Sequence, residues 1–236
     1  MKNCDRRLPV EKVSEILKQF QNQENIPGPK ITTEPDEILE TGEETEVQRK
    51  EALRRRLNIT SWDNTFENFR ALRGTREAVK AFKELATGTA TWHMLLCYGG
   101  TGCGKTHLCE ALAIALLNRG IKARVYEWPS LVRYLKRAMH SQAPDEYNLM
   151  FERYSIAKWL ILDDVGMGGI GSTWEWGEFD EIINYRFRRD LPTVVTTNRN
   201  IINLPDRAMS RFRDALKGRV VFNESEDYRP KRVPGK

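Results

Sequence analysis

Residues 98–106 read Tyr98-Gly99-Gly100-Thr101-Gly102-Cys103-Gly104-Lys105-Thr106, a match to G-x-x-x-x-G-K-[ST]. Such a match carries weight only between a strand and a helix. Ahead of it, Trp92-His93-Met94-Leu95-Leu96-Cys97-Tyr98 is a short apolar run that reads as a buried strand. Behind it, His107 to Leu117 carries apolar residues at helical spacing. Glycines let the backbone turn its N–H groups inward around phosphate oxygens. The helix beginning near Gly104 aims its positive end at the same place. The candidate phosphate contacts are therefore Gly99, Gly100, Thr101, Gly102, Cys103, Gly104, Lys105, Thr106 and His107. Lys105 is placed for the β- and γ-phosphates and the Thr106 hydroxyl for Mg²⁺.

Working outward, Trp159-Leu160-Ile161-Leu162-Asp163-Asp164 is an apolar run closing on two acids. Its composition is that of a strand buried on both faces of a parallel sheet. Carboxylates at the C-terminal end of such a strand lie where open α/β sheets bind ligands. Asp163 is expected to hold Mg²⁺ through water, and Asp164 to orient or deprotonate an attacking water. Leu191-Pro192-Thr193-Val194-Val195-Thr196-Thr197-Asn198 is a further β-branched strand with a polar tip. Its Asn198 is placed to hydrogen-bond the γ-phosphate or the water. Each piece alone reads as ordinary turn chemistry. Their order behind a phosphate loop is what points to nucleotide hydrolysis.

The chain has 236 residues and a net charge of +5, enough for one α/β domain plus an extension, with a mild bias toward polyanionic partners. Cys4, Cys97, Cys103 and Cys109 contain no C-x-x-C pair, so no zinc-ribbon framework is visible. Three of them sit in or beside the phosphate loop, where a disulfide would disrupt it; reduced thiols are expected. No apolar signal core follows Met1 to Arg7, and no apolar run reaches membrane-spanning length, so the expectation is a cytoplasmic protein without membrane contact.

Four segments are expected: a docking helix at 1–23, a linker and basic helix at 24–58, the catalytic domain at 59–229, and a basic tail at 230–236. In the first, Val10, Val13, Ile16, Leu17 and Phe20 recur at helical spacing, for packing on its own domain or docking on a partner. Pro27, Gly28, Pro29 and Pro35 with the acids of residues 34–46 read as a solvated linker. Arg49, Lys50, Arg54, Arg55 and Arg56 form a basic helix face, solvated or in contact with nucleic acid. Within the domain, Thr75 is expected to cap a helix through Ala86, Gly166 to Gly171 to form a flexible loop, and the chain from Tyr228 to be loose.

The order of phosphate loop, Leu160-Ile161-Leu162-Asp163-Asp164, Thr196-Thr197-Asn198 and Ser210-Arg211-Phe212 resembles the AAA+ ATPases. It looks most like the DnaC-type replicative helicase loaders and their IstB relatives. Further matching pieces are Thr65-Phe66-Glu67-Asn68-Phe69, Gly104-Lys105-Thr106-His107-Leu108, Ile182-Ile183-Asn184-Tyr185-Arg186 and Asp227-Tyr228-Arg229. The resemblance covers residues 60–229. It implies a five-stranded parallel sheet between helices, with ATP and Mg²⁺ at the protomer edge, and an ATP-dependent homo-oligomer. It also implies single-stranded DNA and a hexameric replicative helicase as partners. Carried over, Asn198 becomes the sensor and Arg211 the finger that reaches a neighbour's ATP, with Arg207 and Arg213 as competitors.

Two departures stand out: no N-terminal zinc module is visible, and no room remains for a C-terminal helical lid. The adenine contacts are therefore open; Trp62, Phe66 and Phe69 either line a base pocket or belong to the core. Alternative functions are an IstB-type helper of a transposase, an ATP-gated DNA-binding module with little hydrolysis, and a small-molecule kinase. The kinase is disfavoured because no arginine-bearing lid or acceptor-site pattern is visible.

Overall fold

The computed structural model describes residues 45–140, 144–166 and 172–231. The docking helix, most of the acidic linker, the loop at 167–171 and the tail from 232 fall outside these residues. The chain divides into two compact units at Leu57/Asn58.

In the first unit, α1 spans Glu46–Leu57. It opens on a capping box: the Thr45 N–H donates to Gln48 Oε1 at 2.8 Å and the Gln48 N–H to Thr45 Oγ1 at 3.4 Å. Its basic face is partly neutralised from within, since Glu51 takes Arg54 at 2.6 Å and Arg55 at 3.3 Å. Arg54 beside it holds the Glu51 carboxyl at about 2.

The second unit carries one parallel sheet between helices. Its strands are β1 (Met94–Gly99), β2 (Arg124–Glu127), β3 (Leu160–Asp163), β4 (Thr193–Thr197) and β5 (Gly218–Asn223). Their order is β2-β3-β4-β1-β5. The inner strands β3 and β4 are buried at every residue, and β1 at all but Tyr98, as near-continuous apolar or β-branched runs require. The helices are α2 (Arg76–Thr87), α3 (Lys105–Asn118), α4 (Trp128–His140), α5 (Pro144–Ile156), α6 (Thr173–Arg188) and α7 (Asp206–Phe212). Helix α2 packs on α3 and β5, α4 on α5, α5 on α6, and α6 on α7. Leu108, Leu112, Leu116 and Leu117 of α3 are all buried, with small alanines between them. The helix leaves its phosphate loop straight into the core and stops at Gly120, whose φ is 73°.

Thr75 precedes α2 but does not cap it. Its backbone is already helical, and its hydroxyl donates back to Leu72 O at 2.8 Å. The buried face of α2 is Ala78, Ala81, Phe82, Leu85 and Ala86, with Val79 half-buried beside it.

Parallel register brings three strand ends to one edge. Tyr98 pairs with Thr197, Leu162 with Val195, and Glu127 with Asp163. The phosphate loop, both acids and Thr196 to Asn198 therefore share the carboxyl edge of the sheet, the place such folds reserve for ligands.

Candidate functional site

The loop from Gly99 to Lys105 turns through positive φ at Gly102 (74°) and Gly104 (88°). Both glycines are also held closely. A Cβ at Gly104 would stand 2.7 Å from the Phe69 ring, and one at Gly102 would stand 1.7 Å from Asp227 Oδ1. Neither position accepts a side chain. Buried Lys105 donates from Nζ to Gly99 O at 3.0 Å and Gly100 O at 2.7 Å. It is thereby held over the loop. His107 Nε2 donates to Thr65 O at 2.8 Å, which places it beside the Thr65 to Phe69 segment.

Asp163 is the hub of the site. Thr106 Oγ1 donates to its Oδ2 at 2.6 Å, Thr196 Oγ1 donates to its Oδ1, and the Cys109 thiol lies 3.7 Å from Oδ1. Burial pushes the Cys97 thiol up to about 12 and the Cys109 thiol up as well, so neither ionises near neutrality. Asp164 sits at φ 62°, a left-handed conformation rare for a residue with a side chain. What holds it there is the end of β4 and the two residues after it. The Asp164 N–H donates to Thr196 Oγ1 at 3.1 Å and Asn198 Nδ2 donates to Asp164 Oδ1 at 2.6 Å. Thr197 Oγ1 donates to Val165 O at 2.7 Å, and Arg199 Nε to Gly166 O at 2.8 Å. Partial burial, then the neighbouring charge of Asp163, raise the Asp164 carboxyl above its ordinary range, with Lys105 opposing.

The structure thus joins Lys105, Thr106, Asp163, Asp164 and Asn198 in one cluster. It alters the expected posture of Asn198: the amide N–H₂ is committed to Asp164, and the buried Oδ1 is left without a partner among the described residues. An acceptor in that position suits a donor such as water. Thr196 has no individual role in the sequence reading, yet it bonds both acids. The signal was its place in the Thr196-Thr197-Asn198 run. Oxygen donors from Thr106 and Asp163 suit a hard divalent cation. Among the described residues, no group of three His, Cys, Asp or Glu side chains forms a metal cage. A Mg²⁺ ion here would therefore lean on phosphate oxygens, as that ion usually does.

The arginines near α7 divide. Arg211 donates to Asn184 Oδ1 at 3.2 Å and lies over the Phe187 ring at 5.1 Å, with Nε buried and without a partner among the described residues. Arg207 pairs with Asp180 at 3.4 Å. Arg213 is exposed. A further arginine, Arg229, lies close enough for its charge to oppose the rise at Asp164. The segment that carries it is not loose at its start: the Tyr228 N–H donates to Gly102 O at 3.1 Å and the Arg229 N–H to Asp227 Oδ1 at 2.9 Å. Residues after a last strand read as a tail in sequence because a contact back to a loop far upstream leaves no local pattern.

A second feature is a cleft of about 670 Å³ lined by Pro129, Val132, Arg133, Lys136, Arg137, His140 and Glu175. Its cationic side chains are exposed, and Lys136 lies over the Trp174 ring at 5.6 Å. Among the described residues, no carboxylate pairs with Arg133, Lys136 or Arg137. Glu175 in the same cleft accepts from Trp128 Nε1 at 2.8 Å.

Comparison with known proteins supplies the context. The family profile of the bacterial DnaA ATPase domain matches residues 61–219. The chromosomal replication initiator protein DnaA of Citrifermentans bemidjiense is 30% identical over 155 residues, covering 63% of this chain and 33% of that protein. The chain thus spans about a third of the length of the curated relatives it matches. Domain III of DnaA from Thermotoga maritima superposes with a TM-score of 0.61 at 26% identity, over 72% of this chain and 70% of that one. A DnaC helicase loader superposes with a TM-score of 0.58 at 19% identity, over 69% of this chain and 98% of that one; this likeness is one of fold.

Proposed function

This chain belongs to the family of the bacterial DnaA ATPase domain, and on that premise we propose that it is an ATP-dependent loader of the replicative helicase onto single-stranded DNA. It has the AAA+ fold, and its ATPase character goes with the family. The loading role, its partners and the part each residue plays are our reading.

In that reading the loop N–H groups and Lys105 hold the phosphates, Lys105 leaving Gly99 O and Gly100 O to do so. Thr106 and Asp163 would hold Mg²⁺, which when bound neutralises charge on the β- and γ-phosphates. Asp164 accepts the proton of the attacking water, helped by a carboxyl raised above its ordinary range. Asn198 fixes Asp164 through Nδ2 and offers its free Oδ1 to a hydrogen of that water. Arg211 would act on the ATP of a neighbouring copy, which makes turnover depend on assembly.

The observation that carries the reading is the pairing, on one domain, of this hydrolysis cluster with the exposed basic side chains in the cleft of α4. Cations beside an aromatic ring suit a single-stranded phosphate backbone with unstacked bases. The test is co-elution of the full chain with a hexameric replicative helicase, with and without ATP, beside a variant lacking residues 1–24. A complex lost on truncation is expected. No complex under any nucleotide condition refutes the loader role. The 30% identity to an initiator favours a second reading, ATP-gated assembly on DNA without a helicase partner. Single-stranded DNA binding that persists while the helicase is ignored would select it.

A further inference from the structure

Along one side of the start of α3, Gly104 just ahead of the helix, His107 and Glu110 follow at three-residue steps. Glu110 is 1% exposed, a buried carboxylate that the hydrolysis cluster does not use. It has no cationic partner among the described residues and is satisfied by hydrogen bonds from one short segment. Thr60 Oγ1 donates at 2.9 Å, Asn64 Nδ2 at 2.8 Å and the Ser61 N–H at 3.4 Å. A buried charge so placed is costly unless those donors are held to it.

The same segment touches the face twice more. Thr65 O accepts from His107 at 2.8 Å, and the Phe69 ring meets His107 edge-on at 5.1 Å and also crowds Gly104. Residues 60–69 are therefore fastened along the first turns of α3 at three levels, with Trp62 and Phe66 half-exposed between the fastenings. Lys105 marks the β/γ end of a bound triphosphate, and the Phe69 ring against Gly104 sets this segment beside the loop that would hold it.

We propose that Glu110 is a positioning residue for the nucleobase: it holds residues 60–69 as the wall against which the base of the bound nucleotide rests. The inference rests on the nucleotide reading of the phosphate loop. It separates two parts of one ligand. The phosphates depend on the loop; the base depends on the wall that Glu110 fastens.

The test is equilibrium binding of ATP and of inorganic tripolyphosphate, each with Mg²⁺, to the full chain and to its variants. Glu110→Ala is expected to weaken ATP about tenfold, the worth of one well-made contact to the base, and tripolyphosphate less than about twofold. Glu110→Gln keeps an acceptor for Thr60 and Ser61 and is expected to recover most of the ATP affinity. Equal loss of both ligands would mean that Glu110 only supports α3, and no loss of either would mean that the wall does not touch the base; both overturn the proposal. If Glu110→Ala does not fold, Asn64→Ala removes one donor from the half-exposed side of the contact. It is expected to weaken ATP about threefold and spare tripolyphosphate, and equal or absent effects there overturn the proposal too. A wild-type chain that binds neither ligand refutes the nucleotide reading itself, a different failure from a wild type that binds both and a variant that does likewise.

Discussion

Replacing Thr196 by valine removes one hydroxyl and little else, because the two side chains have the same shape and both suit a strand. Thr196 is fully buried. Its hydroxyl donates to Asp163 Oδ1 and accepts the Asp164 N–H at 3.1 Å. The first bond runs to a charged carboxylate, worth about 1.5–3 kcal/mol, and the second leaves a backbone N–H unsatisfied at about 1–3 kcal/mol. The added methyl group returns about 0.8 kcal/mol. The net cost is about 3 kcal/mol, which for a domain of this size lowers Tm by about 6–12 °C. Asp163 keeps Thr106 at 2.6 Å, so the phosphate loop stays assembled and ATP affinity changes little. Asp164 loses the anchor of a strained backbone, and a misplacement near 1 Å costs about a hundredfold in kcat. Thermal unfolding, ATP binding and steady-state turnover of Thr196→Val beside Thr196→Ser provide the assay, with serine expected to recover most of the loss. A valine variant with Tm within about 1 °C and kcat within about twofold of wild type would refute the claim that this hydroxyl holds the two acids together.

Arg186 is fully buried, pairs with no carboxylate among the described residues, and donates to Thr193 Oγ1, Pro192 O and the carbonyls of Tyr154, Ser155 and Ala157. Burial brings it down to about 10, so it stays charged near neutrality. Arg186→Met should cost about 4 kcal/mol by freeing the end of α5 and the entry to β4, read as a Tm fall above about 8 °C. Because burial and Asp163 raise Asp164, the acid limb of kcat should lie above the ordinary carboxylate range, and Arg229→Ala should move it higher still; a pH profile that Arg229→Ala leaves in place contradicts that charge contact. The sign for stability is opposite: a carboxyl raised on folding stabilises at low pH and loses that contribution as pH rises through the folded value. Arg211→Ala should bind ATP normally while DNA-stimulated turnover falls about a thousandfold, and unchanged turnover would pass the finger role to Arg207 or Arg213.

Much of this domain is legible in its sequence, because its deciding signals are local. A glycine loop between an apolar run and an apolar helix needs only neighbours along the chain to be recognised, and so does a run of buried strand residues ending in Asp163-Asp164. The same holds for Gly120 as a helix stop. Local propensity misjudged the cap at Thr75, since a threonine already in helical backbone turns its hydroxyl to Leu72 O. It also passed over contacts made between distant residues: Thr196 with both acids, the Tyr228 N–H on Gly102 O, and Glu110 with Thr60 to Asn64. Composition determined which residues form strands, helices and the anion cradle. Only the parallel register of β3, β4 and β1 decided which polar tips meet, because a hydrogen bond depends on separations of a few ångströms that the spacing of residues along a chain does not encode.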